Sequence, residues 1–240
     1  MRLAVAVAAA LLLASRALAA QEVVGPKTIA PGFSVRPDGV LDIGPVSAEV
    51  YHYDPTWRPS EQHEHFRRDP VPLNEATRRG ARTEVIRGQL ATPGGTARLV
   101  EQLEPADGGI RYAVTVAGSK PIPTNALVTT LLLPRAAFAG KTVRVDGRAV
   151  QLPAGPRPRG QARLLTKPAA REVVIPLPRG TLIVSGSFSF LVQDDREWGE
   201  DRYAVWLGFS PDTGQIRTSR IDVRLTLDRA RRQAAATTGR

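Results

Sequence analysis

Ser187-Phe188-Ser189-Phe190-Leu191-Val192, then Gln193-Asp194-Asp195-Arg196-Glu197-Trp198-Gly199-Glu200-Asp201, then Arg202-Tyr203-Ala204-Val205-Trp206-Leu207-Gly208-Phe209: two alternating segments flank an acidic turn. Phe188, Phe190 and Val192 alternate with Ser187, Ser189 and Leu191. Tyr203, Val205, Leu207 and Phe209 alternate with Ala204, Trp206 and Gly208. Successive side chains of a strand point to opposite faces, so each segment predicts a half-buried strand. Outward from this pair the pattern repeats. Ile221, Val223, Leu225 and Leu227 alternate with Asp222, Arg224 and Thr226. Glu172–Leu177 and Thr181–Ser185 read as short strands around Pro178-Arg179-Gly180. Thr142–Val145 and Arg148–Leu152 flank Asp146-Gly147, a dipeptide that supplies the positive φ angles of a type I′ hairpin turn.

Further upstream, Leu127–Leu133 is apolar apart from two threonines and predicts a strand covered on both faces. Ile110, Tyr112, Val114 and Val116 alternate behind the turn Asp107-Gly108-Gly109. Thr83–Leu90 and Ala97–Leu103 flank Pro93-Gly94-Gly95. No segment carries helical periodicity. The class is all-β, with little helix: a two-layer antiparallel β-sandwich, jelly-roll-like. Its core is expected over residues 81–228, with a polar tail at 229–240. Residues 20–80 read as an irregular N-terminal segment with one or two strands, of which Val46–Tyr53 is the clearest. A polar loop is expected from Asp54 to Gly80, and an exposed Pro/Gly/Arg-rich excursion over 153–171.

Met1-Arg2, the apolar run Leu3–Leu13 and the small-x-small triplet Ala17-Leu18-Ala19 have the form of a secretory signal over residues 1–19. A secreted or periplasmic location follows as the expectation. Nothing later is long and apolar enough for a spanning helix, so no membrane anchor is expected. The chain has no cysteine, which excludes disulfides, cysteine-ligated zinc and thiol catalysis. The net charge is +10, but its arginines are scattered singly and only Lys27, Lys120, Lys141 and Lys167 are lysines. No nucleic-acid reading motif accompanies the charge, so no nucleic-acid partner is expected. No Gly-x-Ser-x-Gly nucleophile turn occurs.

Three groups of residues could carry chemistry. In Glu61-Gln62-His63-Glu64-His65, two histidines two apart would share a strand face, and could bind one metal with His52 or a carboxylate. The glycine that accompanies such a pair in double-stranded β-helices is missing from Asp54–Asn74. The second group is the acidic turn, where Asp194, Asp195, Glu197, Glu200 and Asp201 put five carboxylates into eight residues. Hard oxygen donors suit calcium, so Asp194, Asp195, Glu197 and Asp201 are candidate ligands, although their spacing is not that of an EF-hand. Glu197 and Asp201 could instead serve a glycosidase. Solvated side chains with Arg196 as internal counter-ion are the plainer alternative. The third group is aromatic. Trp57, with Tyr51 and Tyr53 before it, and Trp198 in the acidic turn could stack on sugar rings beside Asp195 and Arg196. Trp206, in mid-strand, reads as core.

Leu131-Leu132-Leu133-Pro134, Ala139-Gly140-Lys141, Val145-Asp146-Gly147, Gln193-Asp194-Asp195-Arg196, Phe209-Ser210-Pro211 and Gly214 together resemble β-sandwich modules of secreted bacterial glycoside hydrolases. The resemblance covers about residues 81–227. It implies an ancillary, non-catalytic domain with a polysaccharide as partner, and assigns no catalytic residue. The leading expectation is a carbohydrate-associated binding module. A small secreted glycan hydrolase or lyase, and a structural domain of the cell envelope, are the alternatives.

Overall fold

The computed structural model describes residues 25–69, 83–156, 160–209 and 214–228. The signal-like segment and the polar tail lie outside them. The described strands form one sixteen-stranded sheet, and every pairing in it is antiparallel. From one edge run β1 (Lys27–Ala30), β2 (Phe33–Val35), β3 (Leu41–Ile43) and β4 (Val46–Tyr53), a meander. Beside β4 lies β10 (Ala126–Pro134), then β15 (Arg202–Gly208), β14 (Gly180–Asp194) and β16 (Gln215–Asp228). A second meander closes the order: β9 (Gly109–Pro123), β8 (Gly95–Ala106), β7 (Glu84–Thr92) and β6 (Phe66–Arg68). Off this path, β5 (Pro59–Glu61) pairs β4. The hairpin β11 (Thr142–Val145) and β12 (Arg148–Gln151) joins β13 (Arg163–Leu177), which pairs β14.

The sheet curls back on itself. β1 lies against β8 and β9 without pairing to them, although they stand near opposite ends of the strand order. The result is all-β and sandwich-like, with the curl of a half-barrel. One apolar core fills it, drawing Phe33, Leu41 and Val50 from one arm, Ile86, Leu99 and Val114 from the other, and Leu131, Val192 and Val205 from between. The alternation in β4 is realised: Ala48 and Val50 face this core, and Tyr51 packs on the opposite face. Asp146 and Gly147 have φ of 46° and 80°, as the Asp-Gly turn requires.

Three expectations differ from the structure. The N-terminal segment holds six strands, β1 to β6, where one or two were expected; β1–β3 are too short to show a period. The polar loop after Tyr53 contains β5, a helical turn at Gln62–His65 and β6. The excursion over 153–171 ends at Arg163, where β13 starts as a fifteen-residue strand. Its register shifts between Lys167 and Ala170 and again before Glu172. Bulges of this kind break the alternation that a sequence shows, so one long strand reads as loop followed by short strand.

Candidate functional site

The face of β4, β10, β15 and β14 turned away from the core carries a second apolar cluster: Tyr51, Val128, Leu132, Leu191, Ala204 and Trp206, with Tyr53 packed on it. The register builds it. Glu49 pairs with Thr130, Thr130 with Trp206, and Trp206 with Leu191, so one rung crosses four strands. Tyr53 stacks on Trp206 at 4.8 Å between ring centroids and 26° between planes. It also lies 5.9 Å from Tyr51 and 5.9 Å from Trp57. Four aromatic rings thus pack together, Tyr51 and Trp206 buried, Tyr53 half-buried and Trp57 exposed.

Trp57 is held there by a local turn. The Asp54 carboxylate accepts from the backbone N–H of Thr56 at 2.8 Å and of Arg58 at 2.9 Å, and from the Thr56 hydroxyl at 2.8 Å. Trp57 itself adopts φ of 65°, in the left-handed region where a side chain costs about 1 kcal/mol or more. Trp57 is 49% exposed. A bulky residue at positive φ is held there by its surroundings, here the Asp54 turn.

A polar network borders the rings. Asp195 accepts from Gln193 Nε2 at 2.9 Å and from Arg202 Nε at 3.3 Å. Arg202 reaches the Tyr51 hydroxyl at 3.4 Å, and that hydroxyl donates to Glu61 at 2.9 Å. His63 Nδ1 meets Glu49 at 2.7 Å and lies 3.6 Å from Glu61. Burial pushes the Asp195 carboxyl up to about 6, even against Arg202. Burial also raises Glu49, although His63 opposes it. For His63, burial acts downward, but the Glu49 carboxylate outweighs it and the imidazole rises above its ordinary value.

The structure brings together Tyr53, Trp57 and Asp195 of the expected ligand-binding residues and separates the others. Arg196 turns away: it clamps the buried Asp194 carboxylate through Nε at 2.8 Å and Nη2 at 2.5 Å, and donates to the carbonyls of Pro153 and Gly155. Trp198 is 61% exposed, and no ring among the described residues stacks on it. The acidic turn does not converge. Asp194 binds Arg196, Asp195 faces the rings, Glu197 accepts from Gly160 N–H at 2.9 Å, and Asp201 lies 3.8 Å from Arg135. Among the described residues no three His, Asp or Glu side chains are grouped to hold a metal ion. The histidine pair is corrected in its geometry. Residues 62–65 form a helical turn, in which residues two apart point in different directions. His63 goes to Glu49, His65 to the Glu61 carbonyl, and His52 is buried against Pro123 O and Thr124 Oγ1.

Glu49 and Arg202 are the residues that sequence reading misses; Trp206 is buried, as its mid-strand place predicts. Alternation in β4 puts Glu49 on the face of Tyr51 and Tyr53, a usable signal. The juxtaposition of β4 with β15 across β10 leaves no local trace. No protein-family model, curated protein or solved structure matches this chain.

Proposed function

We propose that this chain is an exported, non-catalytic carbohydrate-binding protein, and that the exposed Trp57 ring with Tyr53 beside it is its binding face. Trp57 carries the reading: an exposed ring at strained backbone geometry, braced by Tyr53 and bordered by Asp195 and Arg202. Aromatic faces bind the apolar faces of sugar rings, and neighbouring polar groups read the hydroxyls. The test is a polysaccharide and oligosaccharide panel with the full chain and three variants. Trp57→Ala and Tyr53→Ala are expected to weaken the best glycan at least about tenfold, near 1.4 kcal/mol. Trp198→Ala is expected to leave it unchanged. Retention on no glycan, or a Trp57→Ala protein that binds like the parent, overturns the proposal.

Glycan hydrolysis is a second reading. One observation favours it: Asp195 and Glu49, both raised by burial, both lie close enough to Tyr53 to act on its hydroxyl. It predicts new reducing ends from a bound oligosaccharide, and their loss in Asp195→Asn.

A further inference from the structure

We infer that residues 54–65, which carry Trp57, form a strap that opens as a unit independently of any glycan, with Gln62 as its latch and the buried Glu101 carboxyl as the proton-sensitive seat of that latch. The first observation is what the strap lacks. The apolar core takes Val50 before it and Phe66 after it, and nothing from Asp54 to His65. The buried residues within it are Asp54, Ser60 and Gln62, all polar. Three register pairs join it to β4: Tyr51↔Glu61, His52↔Ser60 and Tyr53↔Pro59. Its ends are fixed by contrast. Tyr53 stacks on Trp206, and Phe66 packs against β7 at Gly88, where a Cβ would fall 2.5 Å from the ring. A segment that gives the core no apolar side chain, between two anchored ends, opens at a fraction of the global cost.

The second observation is how Gln62 joins the strap to the interior. At zero exposure, its Oε1 accepts from Val50 N–H at 2.9 Å, and its Nε2 donates to the Asp38 carbonyl at 3.0 Å. The same amide faces the Glu101 carboxyl, which also accepts from the Tyr112 hydroxyl at 2.7 Å. Asp38 of the β2–β3 turn and Arg68 of β6 act on Glu101, and Glu49 of β4 acts on Tyr112. Burial outweighs both donors and raises the carboxyl to about 8. Neutral, Glu101 is tolerated beneath the latch; ionised, it gains hydration when Gln62 lifts away. Opening is thus linked to proton release, and is favoured up to about tenfold per pH unit between 4.5 and about 8. His63, which meets Glu49 at 2.7 Å, also joins the strap to β4 and loses its charge as pH rises. The share of Glu101 is therefore read as a difference from Glu101→Gln, which leaves His63 in place.

Hydrogen exchange of the full chain at pH 6 and pH 8, corrected for intrinsic rates, tests this. Amides of residues 54–65 are expected to be at least about tenfold less protected than those of Leu127–Leu133 in β10. Their protection is expected to fall by a further factor of about ten or more from pH 6 to pH 8. In Glu101→Gln that fall is expected to shrink to about threefold or less, the part left to His63. Gln62→Ala is expected to lower strap protection about tenfold at both pH values while β10 stays protected. One protection value shared by the strap and β10 overturns the inference, since opening would then be global. So does a fall in Glu101→Gln as large as that of the parent, and so does strap protection in Gln62→Ala equal to that of the parent. None of these outcomes bears on whether Trp57 binds a glycan.

Discussion

Glu101 shows most directly what a single side chain does to this fold. It lies on β8 at zero exposure and accepts from the Tyr112 hydroxyl at 2.7 Å. Gln62, from the opposite arm of the curl, packs beside it, held by Val50 N–H at 2.9 Å and donating to the Asp38 carbonyl at 3.0 Å. Gly39 closes the gap. At φ of 87° a Cβ there would fall 2.3 Å from Gln62 Nε2 and 2.4 Å from Glu101 Oε2, so only glycine fits. Burial raises the Glu101 carboxyl from 4.5 to about 8, so the folded chain holds a proton that the unfolded chain releases. Its stabilising effect is full below pH 4.5 and is lost as pH rises to about 8. The loss is on the order of a few kcal/mol. Glu101→Gln keeps the shape without the proton. Denaturant unfolding at pH 5, 7 and 9 is therefore expected to show the variant gaining on the parent as pH rises. A constant difference between the two would refute the buried-acid account.

At the scale of elements, the β11–β12 hairpin is where a local signal and the fold agree. Asp146-Gly147 predicts the turn, and the turn forms with both residues at positive φ. Gly147→Ala is expected to cost about 1 kcal/mol, the penalty of a side chain in the left-handed region. Asp146 does more than turn the chain. Its carboxylate pairs with Lys167 and accepts from the N–H groups of Arg171 at 2.9 Å and Glu172 at 3.0 Å, fastening the hairpin to β13. Lys167 first, and these N–H groups next, hold the carboxyl down to about 2. A depressed pKa gives stability that is present above about 3.8 and lost as pH falls through about 2. Asp146→Ala is expected to lower the Tm by a fixed amount at pH 4 to 7, and by progressively less towards pH 2. A deficit that persists at pH 2 would mean that the turn conformation, and not the charge, is what the variant loses. The other elements were legible to different degrees for physical reasons. β4 and β11 match their sequence boundaries because their alternation is uninterrupted. β13 was hidden by bulges. β14 was split because Gly186 interrupts its apolar pattern where it changes partner: Thr181–Ser185 pair with β16, and Ser189–Asp194 with β15. Tyr53, Trp57 and Asp195 were legible as candidates from their residue types alone. Their meeting was not, because it depends on which strands the sheet places together.

For the whole molecule, the boundary that composition suggests near residue 81 runs through the middle of one structure. β4, from the N-terminal segment, pairs with β10 over seven residues, from Ser47↔Leu132 to Tyr53↔Ala126. β6 pairs with β7 at the other edge of the same sheet. A chain starting at residue 83 would lose Phe33, Val35, Leu41, Ile43, Val46, Val50 and Phe66 from the shared core. Each such burial contributes about 1.5–3 kcal/mol, and a domain is stable by only about 5–15 kcal/mol. The truncation would also strip one side of β10, leaving a long apolar strand as an open edge. It would take Glu49, Tyr51, Tyr53 and Trp57 from the aromatic cluster, so the proposed binding face cannot form from the remainder. The expected outcome for residues 83–240 is association on size-exclusion chromatography and no cooperative thermal transition, against one sharp transition for the full chain. A monomeric fragment that unfolds cooperatively would show that the segment from β7 onward holds a sufficient core of its own. The N-terminal strands would then be a cover laid on a finished fold, and their removal would leave the rest intact.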